Sequence, residues 1–173
     1  MFDVIVIGAG PIGLNTAIKV SEKGKSVLII EAESFLGGQL TRLYPEKEIV
    51  DIKGIPSIKA KDYIASLVSK VNSQDKIEVK LSERVNEIKE HIVVTNKGQY
   101  EAKYIVITIG LGTTTPRPMG LEGEKECSNI LYSLQSLETL KNKEVLVLGG
   151  GDSALDWAKE ISNISDHVTI IHR

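Results

Sequence analysis

The chain has 173 residues, 42 % apolar and 25 % charged, a composition typical of a folded cytosolic protein. Lysine and arginine (21) nearly balance aspartate and glutamate (23), so no charge excess indicates a nucleic-acid partner. The single cysteine, Cys127, excludes an intramolecular disulfide or a CxxC pair within these residues. The run "MFDVIVIGAGPIG" carries Asp3 and is too short to span a bilayer, so we expect no signal peptide, no membrane anchor and a cytoplasmic location.

The first thirty residues predict a βαβ unit. Residues 4–7 form a β-branched run that stops at a glycine, and apolar positions between 12 and 20 predict a helix that ends near Gly24. Residues 27–30 predict a second strand. Parallel strands of this kind are apolar on both faces because helices cover them.

The middle of the chain alternates irregular and periodic segments. Residues 35–59 are rich in glycine, proline and polar groups, which predicts a long ordered loop of functional importance. A helix is expected at 61–71, short strands at 77–81, 85–88 and 92–95, and a buried strand at 104–109. The segment 113–126 predicts a domain boundary. Beyond it we expect a short helix ending at 140, a strand at 145–148, a helix at 154–161 and a strand at 168–171.

The chain contains an internal repeat. A shift of 141 positions (145 − 4) places residues 4–31 on residues 145–172 without a gap and with ten identities. The repeat includes two glycine motifs, Gly8-x-Gly10-x-x-Gly13 and Gly149-x-Gly151-x-x-Ala154. Each follows a strand and opens a helix, which is the context of a dinucleotide-binding turn. Phosphates would bind the unpaired N–H groups at the helix N-terminus; the alternative is a pair of tight βα turns without a ligand.

The two glycine motifs differ in the residue that ends the second strand of each βαβ unit. Glu31, 23 residues after Gly8, could accept hydrogen bonds from ribose hydroxyls, which favours FAD or NAD. Its counterpart is His172, followed by Arg173, and this basic pair could bind the 2′-phosphate of NADP(H). The alternative is that both are solvated residues at a strand end. Two dinucleotides in one chain imply hydride transfer between nicotinamide and flavin.

At this point the sequence resembles the flavoproteins with two dinucleotide-binding domains, through "VIVIGAGPIG", "IIEA", "GGQL", "VITIGLGTTTPRP" and "VLGGGDSALDWA…VTIIHR". Within that superfamily, "GGQLTRLYPEKEIVDIKGIP" resembles the thioredoxin-reductase-like ferredoxin–NADP+ reductases. The resemblance implies a homodimeric FAD enzyme that moves electrons between NADPH and ferredoxin or a similar small acceptor. It implies an α/β fold with a Rossmann-like FAD-binding domain at 1–112, which includes a small antiparallel β-meander. A linker and the first βαβ unit of an NAD(P)-binding Rossmann domain would follow at 113–173.

The resemblance also implies site residues, though no catalytic side chain and no metal ligand. Tyr44 would stack on the isoalloxazine ring and Asp51 would approach its polar edge; the alternatives are a core aromatic and a loop cap. The other residues expected at the FAD are Gly8, Gly10, Pro11, Gly13, Glu31, Gly38, Gln39, Leu40, Val85, Thr108 and Gly110. Those expected at NADP(H) are Gly149, Gly151, Asp152, Ser153, Ala154, His172 and Arg173.

The absence of a cysteine pair separates this chain from related disulfide reductases. Thioredoxin reductases are expected to carry a CxxC where this chain has "NILYSLQSLETL", and glutathione-reductase-type enzymes a cysteine pair near "GGQLTRLY". Internal disulfide chemistry is therefore disfavoured. The alternatives are a relative with an external disulfide or a quinone as acceptor, and a non-catalytic nucleotide-binding module. The family is about twice this length, so we expect part of a longer enzyme that is a poor catalyst alone.

Overall fold

The computed structural model describes residues 1–112, 118–134 and 136–172. The first part contains β1 (Phe2–Ile7), α1 (Pro11–Glu22), β2 (Val27–Ile30), α2 (Gln39–Arg42), β3 (Glu48–Ile49), β4 (Ile58–Lys59), α3 (Ala60–Asn72), β5 (Ile77–Lys80), β6 (Val85–Lys89), β7 (Ile92–Thr95) and β8 (Gln99–Ile107). The second part contains a 3-10 helix (Leu137–Leu140), β9 (Val145–Leu148), α4 (Asp152–Ser162) and β10 (Val168–Ile171). The predicted α/β class is confirmed.

A six-stranded sheet organises the first part, in the order β5-β2-β1-β8-β7-β6. Strands β5, β2, β1 and β8 run parallel, and β6, β7 and β8 form the predicted antiparallel meander. The long strand β8 belongs to both groups, because Glu101 faces Ile92 of β7 whereas Val106 faces Val6 of β1. The carboxyl ends of the parallel strands therefore meet at one edge, where ligands bind in such sheets.

Both faces of the first two strands are covered. Leu14 of α1 and Leu67 of α3 pack on one face, with Val6 and Ile29, and all four are almost fully buried. On the other face, Ile5 and Leu28 pack against Val93 and Ala102 of the meander. A strand buried on both faces needs apolar residues at every position, which explains the continuous apolar runs. Here the prediction of buried parallel strands is confirmed.

The strand predicted at 104–109 has other bounds in the structure, and it is partly exposed where burial was expected. It spans Gln99–Ile107, and Tyr104 and Ile107 are 70 % and 58 % exposed. Among the described residues this half of β8 pairs only with β1, and the meander leaves it after Glu101. The apolar composition predicted the strand correctly but not its exposure.

The segment 35–59, predicted to be an irregular loop, contains regular structure. It holds the short helix α2 and the two-residue strands β3 and β4, which pair antiparallel. Glu46 fixes this segment to α3, because its buried carboxylate accepts hydrogen bonds from Lys61 Nζ (2.6 Å) and Lys59 Nζ (2.9 Å). The ammonium groups of Lys61 and Lys59 hold the pKa of Glu46 below its usual value. The segment thereby fixes the position of Tyr44.

The second part repeats the β-turn-α-β order of the first, as the sequence repeat predicts. Strands β9 and β10 pair in parallel, with Val145 opposite Val168. One helix, α4, packs on these two strands, and Ala158 and Ile161 provide its buried contacts. Several apolar residues of the strands stay about half exposed: Leu146, Leu148, Ile170 and Ile171.

Candidate functional site

The first glycine turn is packed tightly against the end of β8. A Cβ atom on Gly8 would lie 2.7 Å from the Thr108 carbonyl oxygen, and one on Gly13 would overlap the Gly8 carbonyl. Gly8 also has a φ of +98°, which side chains rarely adopt. The Thr108 hydroxyl donates to the Gly8 carbonyl at 2.8 Å and closes this arrangement. The first and third glycines of the motif are therefore required by packing.

The middle glycine is open on its ligand side. No atom of the described residues lies within 4 Å of the position that a Gly10 Cβ would take. Gly10 is the N-cap of α1, and no side chain caps this helix in the described part of the chain. Pro11 occupies the first helical position, where its missing N–H removes no helical hydrogen bond. The positive end of α1 can therefore receive an anion such as a pyrophosphate.

Glu31 reaches this turn from the end of β2. Its Oε2 accepts the Ala9 N–H at 2.7 Å, and its Oε1 accepts the Glu33 N–H at 2.9 Å. Each carboxylate oxygen has a second lone pair, so Glu31 can still accept hydrogen bonds from hydroxyl groups. The Glu31 carboxylate therefore lies beside the first glycine turn, at the end of β2.

A cleft of about 760 Å³ runs along these elements. This volume lies within the range of protein sites for small molecules and cofactors. The predicted residues that line it are Gly8, Gly10, Pro11, Glu31, Gly38, Gln39, Leu40, Val85, Thr108 and Gly110. Gly13 lies beneath the turn instead. The open glycine turn, the carboxylate and the cleft volume fit a bound dinucleotide.

Sequence analysis missed several charged residues of this cleft. Arg42 and Glu33 line it and form an ion pair of 2.7 Å, and Glu83 and Arg84 line it at the end of β5. Burial raises the pKa of Glu83, but the hydrogen bonds from Thr95 and Tyr100 together lower it by more, so the net shift of the pKa is downward. No sequence pattern pointed to these residues; the parallel pairing of β5 with β2 in the structure brings residue 83 to the same edge as Glu31.

The second glycine turn resembles the first and is more open. Gly149 has a φ of +137°, and Gly151 is the N-cap of α4 without a side-chain cap from the described residues. The first turn of α4 holds Asp152, Ser153 and Ala154. Together with Gly151 these residues line a second cleft of about 640 Å³, so the helix N-terminus with its unpaired N–H groups borders that cleft.

His172 lies directly on the second turn. A Cβ on Gly150 would come within 2.6 Å of Cδ2 and 2.7 Å of Nδ1 of the His172 ring. Glycine at this position therefore makes room for the imidazole, whereas the first turn has Ala9 there, beside the Glu31 carboxylate. Arg173, the other residue of the predicted basic pair, lies outside the described residues.

Tyr44 lines the second cleft and is not among the residues that line the first. Its hydroxyl lies 3.3 Å from Ser153 Oγ, 109 residues further along the chain. The described residues that line it are Leu43, Tyr44, Tyr132, Val147, Leu148, Gly151, Asp152, Ser153, Ala154 and Trp157. Neither Trp157 nor Tyr132 is among the site residues expected from the sequence.

Helix α2 connects the two clefts. Gln39 and Arg42, its first and last residues, line the first cleft, and Leu43 and Tyr44, which follow it, line the second. Lys47 adds a second bridge, since its Nζ lies 2.6 Å from Asp156 Oδ2 and 5.6 Å from the centre of the Tyr44 ring. The hydrogen bond to Asp156 raises the pKa of Lys47.

Some predicted features lie away from both clefts. Asp51 is exposed and lines neither cleft, so the structure does not bring it to the other predicted FAD residues. Cys127 is exposed. Within the described residues, no group of three histidine, cysteine or acidic side chains could hold a metal ion. The helices of residues 1–112, 118–134 and 136–172 include none with the length and apolar character to cross a membrane.

Two βαβ units, each with a glycine turn that opens on a cleft, define the class of α/β proteins that bind dinucleotides. The family model described as pyridine nucleotide-disulphide oxidoreductase matches residues 5–173, and the chain belongs to that family.

Relatives confirm the resemblance stated from the sequence. The chain is 39 % identical to a ferredoxin–NADP reductase of Streptococcus thermophilus, over all of this chain and 54 % of that protein. A thioredoxin reductase of Lactococcus lactis (TM-score 0.74, 24 % identity) matches all of this chain and 56 % of its own. The thioredoxin reductase of T. acidophilum (TM-score 0.73, 25 % identity) matches 98 % of this chain and 55 % of its own. The chain spans about half the length of these proteins.

Proposed function

We propose that residues 1–112 form most of an FAD-binding domain and that residues 113–173 form a linker and the first half of an NADP(H)-binding domain. The whole protein would transfer hydride from NADPH to FAD and pass electrons to ferredoxin or a similar small redox protein. The names of the 39 % identical relatives support the acceptor. One observation carries the proposal: α2 and the two residues after it line both clefts, so ligands in the two clefts would lie on either side of one short segment.

FAD, when bound, would supply a ring that takes up hydride and releases electrons singly or in pairs. The residues of the chain would bind and orient it. The open N-terminus of α1 would bind the pyrophosphate, and Glu31 would accept from ribose hydroxyls. Tyr44 lines the other cleft, so the stacking on the flavin ring that the resemblance implies does not follow from its position here.

The second cleft would hold the pyridine nucleotide in the same manner. The first turn of α4 would bind its pyrophosphate, and His172 would donate to a 2′-phosphate, a group that NADPH carries and NADH lacks. Tyr44, two residues after α2, lies at the wall of this cleft that is shared with α2. The single cysteine supports transfer to an outside acceptor, because an internal dithiol cannot form from these 173 residues.

The test uses the full-length protein, purified and examined for bound flavin. Anaerobic NADPH should bleach the flavin absorbance, and reoxidation should be faster with ferredoxin than with a disulfide protein or a quinone. A protein that binds nucleotides but shows no bleaching would be a non-catalytic module. Faster reoxidation by the disulfide protein or the quinone would select the alternative acceptor. We also propose that the whole protein is a cytoplasmic homodimer. Sedimentation of the same sample tests its dimeric state.

A further inference from the structure

Tyr132 is a residue of the second cleft that neither the glycine motif nor the resemblance assigns. It lies in the segment between the two parts of the chain, with a side chain 44 % exposed, and it lines the cleft together with Tyr44 and Trp157. Leu43, Val147 and Leu148 provide apolar walls beside these three aromatic rings. Flat aromatic side chains in an apolar cleft favour a flat ring in the ligand, because rings stack in offset or edge-to-face arrangements.

The position of Tyr132 is fixed by Glu124. The Tyr132 hydroxyl donates to the Glu124 carboxylate, which also accepts the N–H groups of Met119 (2.8 Å), Gly120 (2.7 Å) and Leu121 (3.1 Å). Glu124 is buried, although its neighbours in the chain are exposed. A carboxylate that accepts four hydrogen bonds is held in one orientation. Its hydrogen bond with the Tyr132 hydroxyl therefore fixes the position of the Tyr132 ring as well.

The pKa shifts of Glu124 and Tyr132 agree with this hydrogen bond. The Tyr132 hydroxyl and the three N–H groups hold the pKa of Glu124 at about 2, well below its usual value, so the carboxylate is charged at neutral pH. The same hydrogen bond raises the pKa of Tyr132, so its hydroxyl keeps the proton that it donates. The contact therefore persists across the pH range in which the protein would work.

We propose that Tyr132, oriented by Glu124, is a binding residue for the nicotinamide ring of the pyridine nucleotide in the second cleft. This inference rests on the proposed function and adds a specific residue to it. Tyr132 would contact the ring by stacking, whereas Glu124 is a positioning residue that acts through Tyr132. The contact would make binding depend on the segment between the two parts of the chain.

The test measures NADPH affinity in the full-length protein by fluorescence, with Trp157 as reporter because it lines the same cleft. A Trp157→Phe variant identifies the share of the signal that comes from this residue. Tyr132→Leu removes the ring and keeps bulk, and we expect roughly 2- to 10-fold weaker binding, the usual value of an aromatic contact. Tyr132→Phe keeps the ring and loses the anchor, so it should lie between Tyr132→Leu and the unaltered protein.

Glu124→Gln tests the positioning role. It should weaken NADPH binding to the extent of Tyr132→Phe, and the double variant should show no further loss, a coupling that a purely structural role would not produce. Unaltered affinity in Tyr132→Leu would overturn the inference alone. An unaltered protein that does not respond to NADPH would overturn the proposed function and this inference with it.

Discussion

Lys47 and Asp156, 109 residues apart in the chain, form an ion pair of 2.6 Å that joins the segment after α2 to the first turns of α4. Both side chains are partly exposed, at 44 % and 50 %, so solvent screens their attraction. Tyr44 and Ser153 make a second contact between the same elements. These contacts set the width of the second cleft, since Tyr44 and Ser153 both line it.

Lys47→Met should lower the free energy of unfolding by less than about 1 kcal/mol, because exposed ion pairs contribute little. It should nevertheless change the emission of Trp157, since Lys47 and Trp157 line one small cavity, about 330 Å³ in volume, beside the second cleft. Urea denaturation and fluorescence spectra provide the two measurements. Lys19→Met is the matched control, because it breaks the exposed Lys19–Glu22 pair on α1 and should leave Trp157 emission unchanged.

Gly13→Ala should mainly lower stability, whereas Gly10→Ala should mainly weaken flavin binding. Gly13→Ala places a Cβ against the Gly8 carbonyl and Thr108, so we expect a loss of about 1–3 kcal/mol in unfolding free energy. The Cβ of Gly10→Ala would meet no atom of residues 1–112, 118–134 or 136–172 within 4 Å, so stability should change by less than about 1 kcal/mol. It should instead reduce the flavin content of the purified full-length protein. Normal flavin content in Gly10→Ala would contradict a pyrophosphate at this turn.

Much of the fold follows from short-range signals in the sequence. Strands such as Val27–Ile30 and the helices after the glycine motifs are specified by continuous apolar runs and by 3.6-residue periodicity. The buried Glu46, in contrast, is ordered by Lys59 and Lys61, more than ten positions away, and no local pattern reveals such pairs. The short strands β3 and β4 depend on these contacts and were missed for the same reason.

The candidate site divides in the same way. The glycine turns were predicted because each needs a specific residue type at a specific position, as the overlap of a Gly13 Cβ with Gly8 shows. Tyr132 and Glu124 lie in a segment without periodicity, and only the folded chain brings Tyr132 to Trp157. Gly120 and Gly123 precede Glu124 in the segment that predicted a domain boundary, but nothing in the sequence indicated which donors its carboxylate would meet.

Thr95→Val should destabilise the first part of the chain by about 1–3 kcal/mol. The Thr95 hydroxyl donates to the buried Glu83 at 2.6 Å, and its loss leaves a buried carboxylate with one donor fewer. The pKa of Glu83 should rise toward its usual value. Thr95→Ser keeps the hydroxyl and should cost only about 1 kcal/mol for the lost methyl group. Chemical denaturation and carboxylate titration by NMR give both quantities, and equal stability of Thr95→Val and the unaltered protein would refute the role of this bond.

Acid should weaken the segment that holds Tyr132. The folded-state pKa of Glu124 is about 2, against a usual value of 4.5, so its contribution to stability is complete above pH 4.5 and is lost as the pH falls toward 2. Glu124→Gln should remove this part of the pH dependence. The check is the difference in unfolding free energy between Glu124→Gln and the unaltered protein, measured from pH 6 downward in roughly unit steps. A difference that stays constant to pH 2 would contradict the low pKa.

Gly150→Ala should alter the choice between NADPH and NADH. The added Cβ would occupy space within 2.6 Å of the His172 ring, so the imidazole must move from its position on the second turn. If His172 donates to the 2′-phosphate, NADPH affinity should fall about 10-fold, the value of one charge-assisted hydrogen bond. NADH lacks that phosphate, and its affinity should stay within about 2-fold of the unaltered value.

The comparison of single and double variants separates displacement of His172 from general damage to the turn. His172→Ala should lower NADPH affinity as much as Gly150→Ala, and the double variant should lose no more than either, because both remove the same contact. Gly98→Ala is the control for the substitution itself, since its Cβ would meet nothing nearer than Tyr100 at 3.8 Å. Additive losses in the double variant, or an equal loss of NADH affinity, would show that Gly150 acts on the turn and not through His172.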